Sequence, residues 1–212
     1  MRAYIGLMHK VKTVLALGAH PDDLELGCGA TLAKLCANGV VVHAVVFSDG
    51  KQGGPSGFDR KAETRVALES LGVATVTQHD FPDTRFYEVL NDLIACTEEH
   101  VRAVVPDRVY TMFHLDRHQD HRSVHEASVV ACRKVPQILG YETPSSYPNF
   151  MPTVFEPIDE FIEAKIDALK LHVSQGERLY MHEQKIRSAA HFRGVQVDLG
   201  QTESFIPYKL VL

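Results

Sequence analysis

The chain has 212 residues, 45% of them hydrophobic, and a formal net charge of -5 at pH 7. This length implies one domain over residues 1–212, and the ordinary apolar fraction implies a sizeable core rather than disorder. The mildly acidic balance excludes a nucleic-acid surface, which needs a basic face, and no run is long enough to span a bilayer. Met1-Arg2-Ala3-Tyr4 lacks the long apolar segment of a signal peptide, so a cytoplasmic protein is expected.

Val11 to Ala19 is a continuous apolar run suited to a strand buried on both faces. Gly27 to Asn38 has Leu32, Leu35 and Cys36 on one face and Gly39 as its stop, which predicts a helix. Val40 to Phe47 reads as a second strand, followed by Ser48-Asp49-Gly50 and a glycine-rich loop from Lys51 to Gly57. A helix over Phe58 to Leu71, a strand over Val73 to Asp80, a helix over Phe86 to Arg102 and a strand over Asp107 to Phe113 follow. The His-rich stretch His114 to His125 runs into a helix ending before Pro136, and Ile138 to Glu142 reads as a fifth strand. Thr143 to Pro157, with four prolines, reads as a surface loop. Ile158 to Val173 has apolar residues at helical spacing, Leu179 to Phe192 reads as another helix, and Phe205 to Leu212 as a closing strand.

Strands alternating with helices in this way imply βαβ units with right-handed crossovers. The expected architecture is a Rossmann-like, three-layer α/β/α fold with a mainly parallel sheet, and no internal repeat or linker interrupts it. In such sheets ligands bind beyond the carboxyl ends of the strands, near a switch in strand order. The polar clusters stand at those ends: Asp22 after strand one, Ser48-Asp49 after strand two, Phe81-Pro82-Asp83 after strand three, and His114 to His121 after strand four. Cys28, Cys36, Cys96 and Cys132 are far apart, form no CxxC pair and fall in stretches read as helix or its start. In a reducing compartment they read as small core residues rather than nucleophiles or zinc ligands.

His20-Pro21-Asp22-Asp23-Leu24-Glu25 packs an imidazole and three carboxylates into six residues. A plain helix start would account for part of it, with Asp22 as N-cap and Glu25 three residues on as a capping-box partner. Adjacent acids beside an imidazole at a strand end also allow a division of labour, one holding a cation and the other acting as base. The second cluster is His114-Leu115-Asp116-Arg117-His118-Gln119-Asp120-His121, with His125 beyond it. Four histidines in that window point to metal binding or acid–base work. His121 and His125 have the i, i+4 spacing of a zinc helix, but residue 122 is Arg122, so HExxH is absent. Either His125 packs outside the site or the ligand set differs from that motif. His20, Asp23 and His121 together would give a shell of two nitrogens and one oxygen with an open position, as in a catalytic zinc centre. Asp22 would remain free as a base. The Lys51 to Gly57 loop lacks the order of a phosphate loop, and GxGxxG is absent after strand one, so this loop reads as a rim of the site.

The two clusters together resemble the LmbE-like (PIG-L) family of zinc-dependent N-deacetylases. The resemblance covers nearly the whole chain and includes Ser48-Asp49-Gly50, Arg60 with Glu63, Phe81-Pro82-Asp83, Ser174-Gln175, and Glu203 with Phe205. Gln119 departs from it, standing where a proline is usual. The resemblance implies Zn2+, or another divalent metal, held by His20, Asp23 and His121, with Asp22 as general base. It implies that His118 stabilises the oxyanion and that Asp120 orients or charges His118. Arg60 and Arg117 would meet sugar hydroxyls or an anionic group. The plainer readings are surface ion pairs for the arginines and a helix N-cap for Asp120. The implied reaction is removal of the acetyl group from a small amino sugar, an N-acetylglucosamine derivative. Zinc would bring bound water to a pKa of roughly 7. Asp22 would take its proton, and protonated His118 with zinc would hold the oxyanion. Hydrolysis of another sugar or thiol-conjugate amide, a phosphoester hydrolase, or an inactive metal- or sugar-binding module remain open alternatives. Relatives often assemble, so a homo-oligomer is compatible with the resemblance; the roles of Glu25 and His125 stay open.

Overall fold

A computed structural model describes residues 11–211; the reading of Met1 to Tyr4 lies outside them. The chain runs β1 (Thr13–Gly18), α1 (Asp23–Ala37), β2 (Val41–Val46), α2 (Arg60–Ser70), β3 (Thr75–Gln78), α3 (Leu90–Val104), β4 (Arg108–Met112) and α4 (Gln119–Ala131). It continues through β5 (Gln137–Tyr141), β6 (Val154–Pro157), α5 (Ile162–Lys170), α6 (Glu183–Val195) and β7 (Thr202–Leu210). The strands form one sheet in the order β3-β2-β1-β4-β5-β7-β6. The first five are parallel, and β7 pairs antiparallel with both β5 and β6. This is the open α/β architecture expected. One layer holds α1, α2 and α5, with α6 against α5, and the other holds α3 packed on α4. No helix among the described residues is long and apolar enough to cross a membrane.

The strand order reverses between β1 and β4. The chain steps outward from β1 through β2 to β3, then returns to the other side of β1. The crevice at their carboxyl ends is therefore where a ligand site is expected. β1 owes its central place to Val14, Leu15, Ala16 and Leu17, all fully buried; continuous apolar runs are what helices on both faces demand.

The structure differs from the pattern in informative places. β6 occupies the last part of the proline-rich stretch read as loop, because β7 offers it an antiparallel edge. Phe86 to Val89 is a short 3-10 turn rather than the start of α3, and Leu179 to Met181 is another before α6. α1 starts at Asp23, four residues ahead of the expected Gly27. It is two helical segments joined at Cys28, whose φ of -146° is not helical. A break of this kind leaves amides without helical carbonyls. The Ala30 and Thr31 amides donate instead to Glu203 on β7, at 3.2 and 2.7 Å. Lys165 neutralises that buried carboxylate at 2.7 Å and also donates to the Leu26 carbonyl. Gly27 sits just before the break, where a Cβ would lie 2.1 Å from the Tyr141 ring; only glycine lets α1 approach β5 so closely. In the same way Ser174 donates twice to Glu63, tying the turn after α5 to α2.

Candidate active site

Pro21 and Asp22 form the turn between β1 and α1. Asp22 is the N-cap residue of α1, but in the left-handed region at φ 87° and with no side-chain cap bond. The capping-box reading therefore does not hold. Glu25, its supposed partner, turns inward and accepts from His172 Nε2 at 2.9 Å, both residues being fully buried. The unusual backbone at Asp22 separates the two neighbouring carboxylates. Asp22 faces Arg60, with Oδ2 3.6 Å from Nη2. Asp23 faces the histidines.

Asp23 lies between two imidazoles. Its Oδ1 is 3.3 Å from His121 Nε2, and its Oδ2 is 3.5 Å from His20 Nδ1 while also accepting from the His20 amide at 2.7 Å. The far nitrogen of each ring meets another carboxylate. His20 Nε2 is 3.0 Å from Asp120 Oδ2 and 3.3 Å from Asp83 Oδ1. His121 Nδ1 is 3.2 Å from Asp116 Oδ2. Imidazoles that ligate metals are oriented in this way, one nitrogen on the cation and the other on a carboxylate. The donor set of two imidazoles and one carboxylate suits zinc or a similar divalent ion. The ring of His118 adjoins them, stacked on His121 at 4.7 Å between centroids. One ring nitrogen each from His20, His118 and His121 falls within 4.8 Å of the others, as does one donor atom each from His20, Asp83 and Asp120.

Burial and charge set the protonation states. Burial alone would lower the His20 pKa, but hydrogen bonds to Asp120, Asp23 and Asp83 outweigh it and hold it well above the usual value. Burial likewise works against His121, yet the charge of Asp23 and the bond to Asp116 bring it to about 9. Asp23 is held well below the usual range: burial pushes it up, and His121 and His20 overcome that. Asp22 goes the other way. Burial, then the charge of Asp23, raise it to about 7. Its Oδ2 is buried and takes no hydrogen bond. His118 is pushed down by burial and by its positively inclined neighbours His20 and His121.

Each expected residue has a definite place. Asp120 lies inside the first turn of α4, whose N-cap is His118. Its backbone amide donates to His118 Nδ1 at 3.3 Å, while its carboxylate turns to His20 and to the Thr84 and Phe86 amides. Arg60 is buried, not a surface ion pair, and donates to the carbonyls of Gly50 and Pro21 at 2.5 and 3.1 Å. Arg117 is exposed on the rim and donates to the carbonyls of Ser145 and Pro144. Gln119 donates to the Thr84 carbonyl at 2.9 Å, so the departure from proline gains a loop contact. His125 lies outside the site, its ring against Tyr208 and His114. All the expected site residues except Asp120 line one cleft of about 410 Å³, together with Gln52 and Gly53 of the glycine-rich loop.

Two contributors had no role assigned from sequence. Asp116, fully buried, accepts from Thr143, Ser145, Ser146 and the His118 amide; burial pushes its pKa up, but His121, Ser145 and the His118 amide bring it down to about 2. Asp83 reaches His20 from the end of β3 and accepts from the Gln52 amide at 2.8 Å. Both are acids beyond parallel-strand ends, and Asp83 also stands in the Phe81-Pro82-Asp83 motif of the resemblance, though without an assigned role.

Residues 15–132, more than half of the chain, match the family described as PIG-L, GlcNAc-PI de-N-acetylase. The chain is 48% identical over 178 residues to the uncharacterized deacetylase YaiS of Escherichia coli, covering 81% of this chain and 96% of that one. It is 28% identical over 191 residues to a diacetylchitobiose deacetylase of Thermococcus kodakarensis, covering 78% and 70%. The crystal structure of a conserved protein from Thermus thermophilus superposes with a TM-score of 0.83 at 25% identity, over 96% of this chain and 97% of that one.

Proposed function

The chain belongs to the PIG-L family of de-N-acetylases, and from that premise we propose that it hydrolyses the N-acetyl group of an N-acetylglucosamine-containing small molecule. The observation that carries this reading is Asp22: a buried carboxylate with a raised pKa and an unpartnered oxygen, beside the His20–Asp23–His121 cluster. Those three side chains would hold a divalent cation, zinc in our reading, which when bound supplies Lewis-acid polarisation of the amide and of water.

Asp22 takes a proton from the attacking water as its oxygen bonds to the acetyl carbon. The charges of His172 and then of Arg60, 3.6 Å from Asp22, keep part of the carboxylate population ionised against its buried setting. The tetrahedral oxyanion accepts from His118. Because the Asp120 amide donates to His118 Nδ1, the neutral ring carries its proton on Nε2. The donor in this proposal is therefore the neutral imidazole rather than the protonated one expected from sequence. One such donor is typically worth ~3 kcal/mol. Asp22 then gives its proton to the departing amine, since the C–N bond breaks readily only when the nitrogen is protonated. Arg117 and Gln52 at the rim would meet sugar hydroxyls. A second cleft, sharing Leu26, Thr143, Pro144 and Tyr180 with the first, offers space for whatever the sugar is attached to. A cytoplasmic location belongs to the same proposal.

The test is acetate release from N-acetylglucosamine, its conjugates and N,N'-diacetylchitobiose by zinc-loaded protein. Stoichiometric acetate and free amine support the assignment. Binding of these sugars without acetate release would replace it with a binding module, and release only from a non-sugar amide would replace the substrate class.

A further inference from the structure

His79 follows β3, and Cys96 and His100 stand four residues apart on α3, so that they share one helix face. Their functional atoms converge away from the cleft. His79 Nε2 is 2.8 Å from His100 Nε2, Cys96 Sγ is 3.3 Å from His79 Nε2, and all three lie within 4.8 Å of one another. We propose that His79, Cys96 and His100 form a second metal site, distinct from the cleft, that binds a soft divalent cation of the zinc class.

The donor set selects the ion. A thiolate with two imidazoles suits zinc and disfavours magnesium or calcium, which require oxygen ligands. Tetrahedral zinc with such ligands keeps donor atoms ~3.3–3.6 Å apart. Cys96 and His79 already stand at 3.3 Å, and the two ring nitrogens at 2.8 Å would open by about half an ångström to admit the ion. The two facing ring nitrogens share one proton as a hydrogen bond; loss of that proton lets both offer a lone pair to a metal. Burial lowers the pKa of His79 and of His100, keeping both rings in the ligating form. Burial and then Glu99 raise the Cys96 thiol to about 11, so binding displaces its proton to solvent. The charge of Glu99 acts on all three groups and that of Asp80 on His79, with Lys61 opposing it there. These acidic charges favour a cation at the cluster, and water can fill the fourth position. Phe47, stacked on the His79 ring at 6.1 Å, and Phe81, edge-on at 5.9 Å, wall one side. β3 is a four-residue strand at the sheet edge. A metal here would fasten it to α3, just before the segment that delivers Asp83 to His20.

The cleft's donor set has no sulfur, so cobalt separates the two sites. Full-length protein titrated with Co2+ is expected to take up two ions per chain and to show a thiolate-to-cobalt charge-transfer band. Cys96→Ser is expected to lose the band, bind one ion and keep wild-type activity in the cleft; His100→Gln is expected to weaken the band-forming step at least tenfold. The proposal is overturned if wild-type protein shows no such band, or if the band persists in Cys96→Ser. Neither readout depends on which substrate the cleft takes.

Discussion

Asp22 Oδ2 lies 3.6 Å from Arg60 Nη2 yet accepts no hydrogen bond from it. The arginine's two terminal nitrogens donate to the carbonyls of Gly50 and Pro21 instead, which leaves the carboxylate free to work on a ligand. Asp22→Asn is expected to retain its metal, measured as bound zinc per chain, and to lose ~10²–10⁴ in kcat. Wild-type acetate release by the zinc-loaded variant would remove Asp22 from the mechanism.

Arg60→Lys tests the same pair differently. A lysine keeps the charge but cannot serve two carbonyls in fixed directions. The Pro21 turn should loosen and kcat should fall about tenfold with metal retained, since small misplacements of a catalytic group weigh heavily on rate. An unchanged kcat would show that charge alone is what the site needs from this position.

Asp116 holds the far nitrogen of His121 at 3.2 Å. Asp116→Asn should weaken zinc affinity about 10–100-fold, read by competition with a chromogenic chelator. Circular dichroism and Tm on the metal-free variant separate this from general unfolding. Full affinity in a folded Asp116→Asn protein would mean that His121 is not oriented through Asp116.

Gly27→Ala adds a Cβ where the Tyr141 ring already stands. The Tyr141 hydroxyl donates to the Leu17 carbonyl on β1, so the ring has little freedom to retreat. A loss of ~1–3 kcal/mol in unfolding free energy is expected from urea titration, with activity falling as α1 is displaced. A variant as stable as the wild type would show that α1 can slide along β5.

His125 is pushed down to about 4 by burial and then by the charge of His114. Its folded value lies below the unfolded one of ~6.5, so the unfolded chain binds the extra proton first. The neutral ring's contribution is complete above pH ~6.5 and is lost as pH falls towards 4. His125→Gln should lose ~1–3 kcal/mol less than wild type over that interval, measured as urea unfolding at each pH. Parallel stability curves for the two proteins would rule out this half-buried neutral histidine.

The parallel core was legible because its signals are local. Val14 to Ala19 is apolar throughout, as a strand covered on both faces must be, and polar clusters followed the parallel strands. β6 was not legible, because four residues beside prolines become a strand only when β7 presents its edge. The early start of α1 was hidden by the break at Cys28, which Glu203 makes tolerable from 175 residues further along the chain (203 - 28). Cys96 read as a packing residue because its partner His79 lies 17 residues away in sequence and reaches it only when α3 packs beside β3.

The sequence by itself determined the strand–helix alternation and placed two clusters of imidazoles and carboxylates at strand ends. Those properties follow from residue type and spacing. Only the tertiary structure divided the labour among similar side chains. Asp22 and Asp23 are chemically identical neighbours. A left-handed turn sends one to Arg60 and the other between two histidines, and opposite pKa shifts follow. Asp83, Asp116 and Asp120 acquire their roles from the ring nitrogen each one meets. The character of an ionisable group is set by its burial and by the charges within a few ångströms, and those neighbours come from distant parts of the chain.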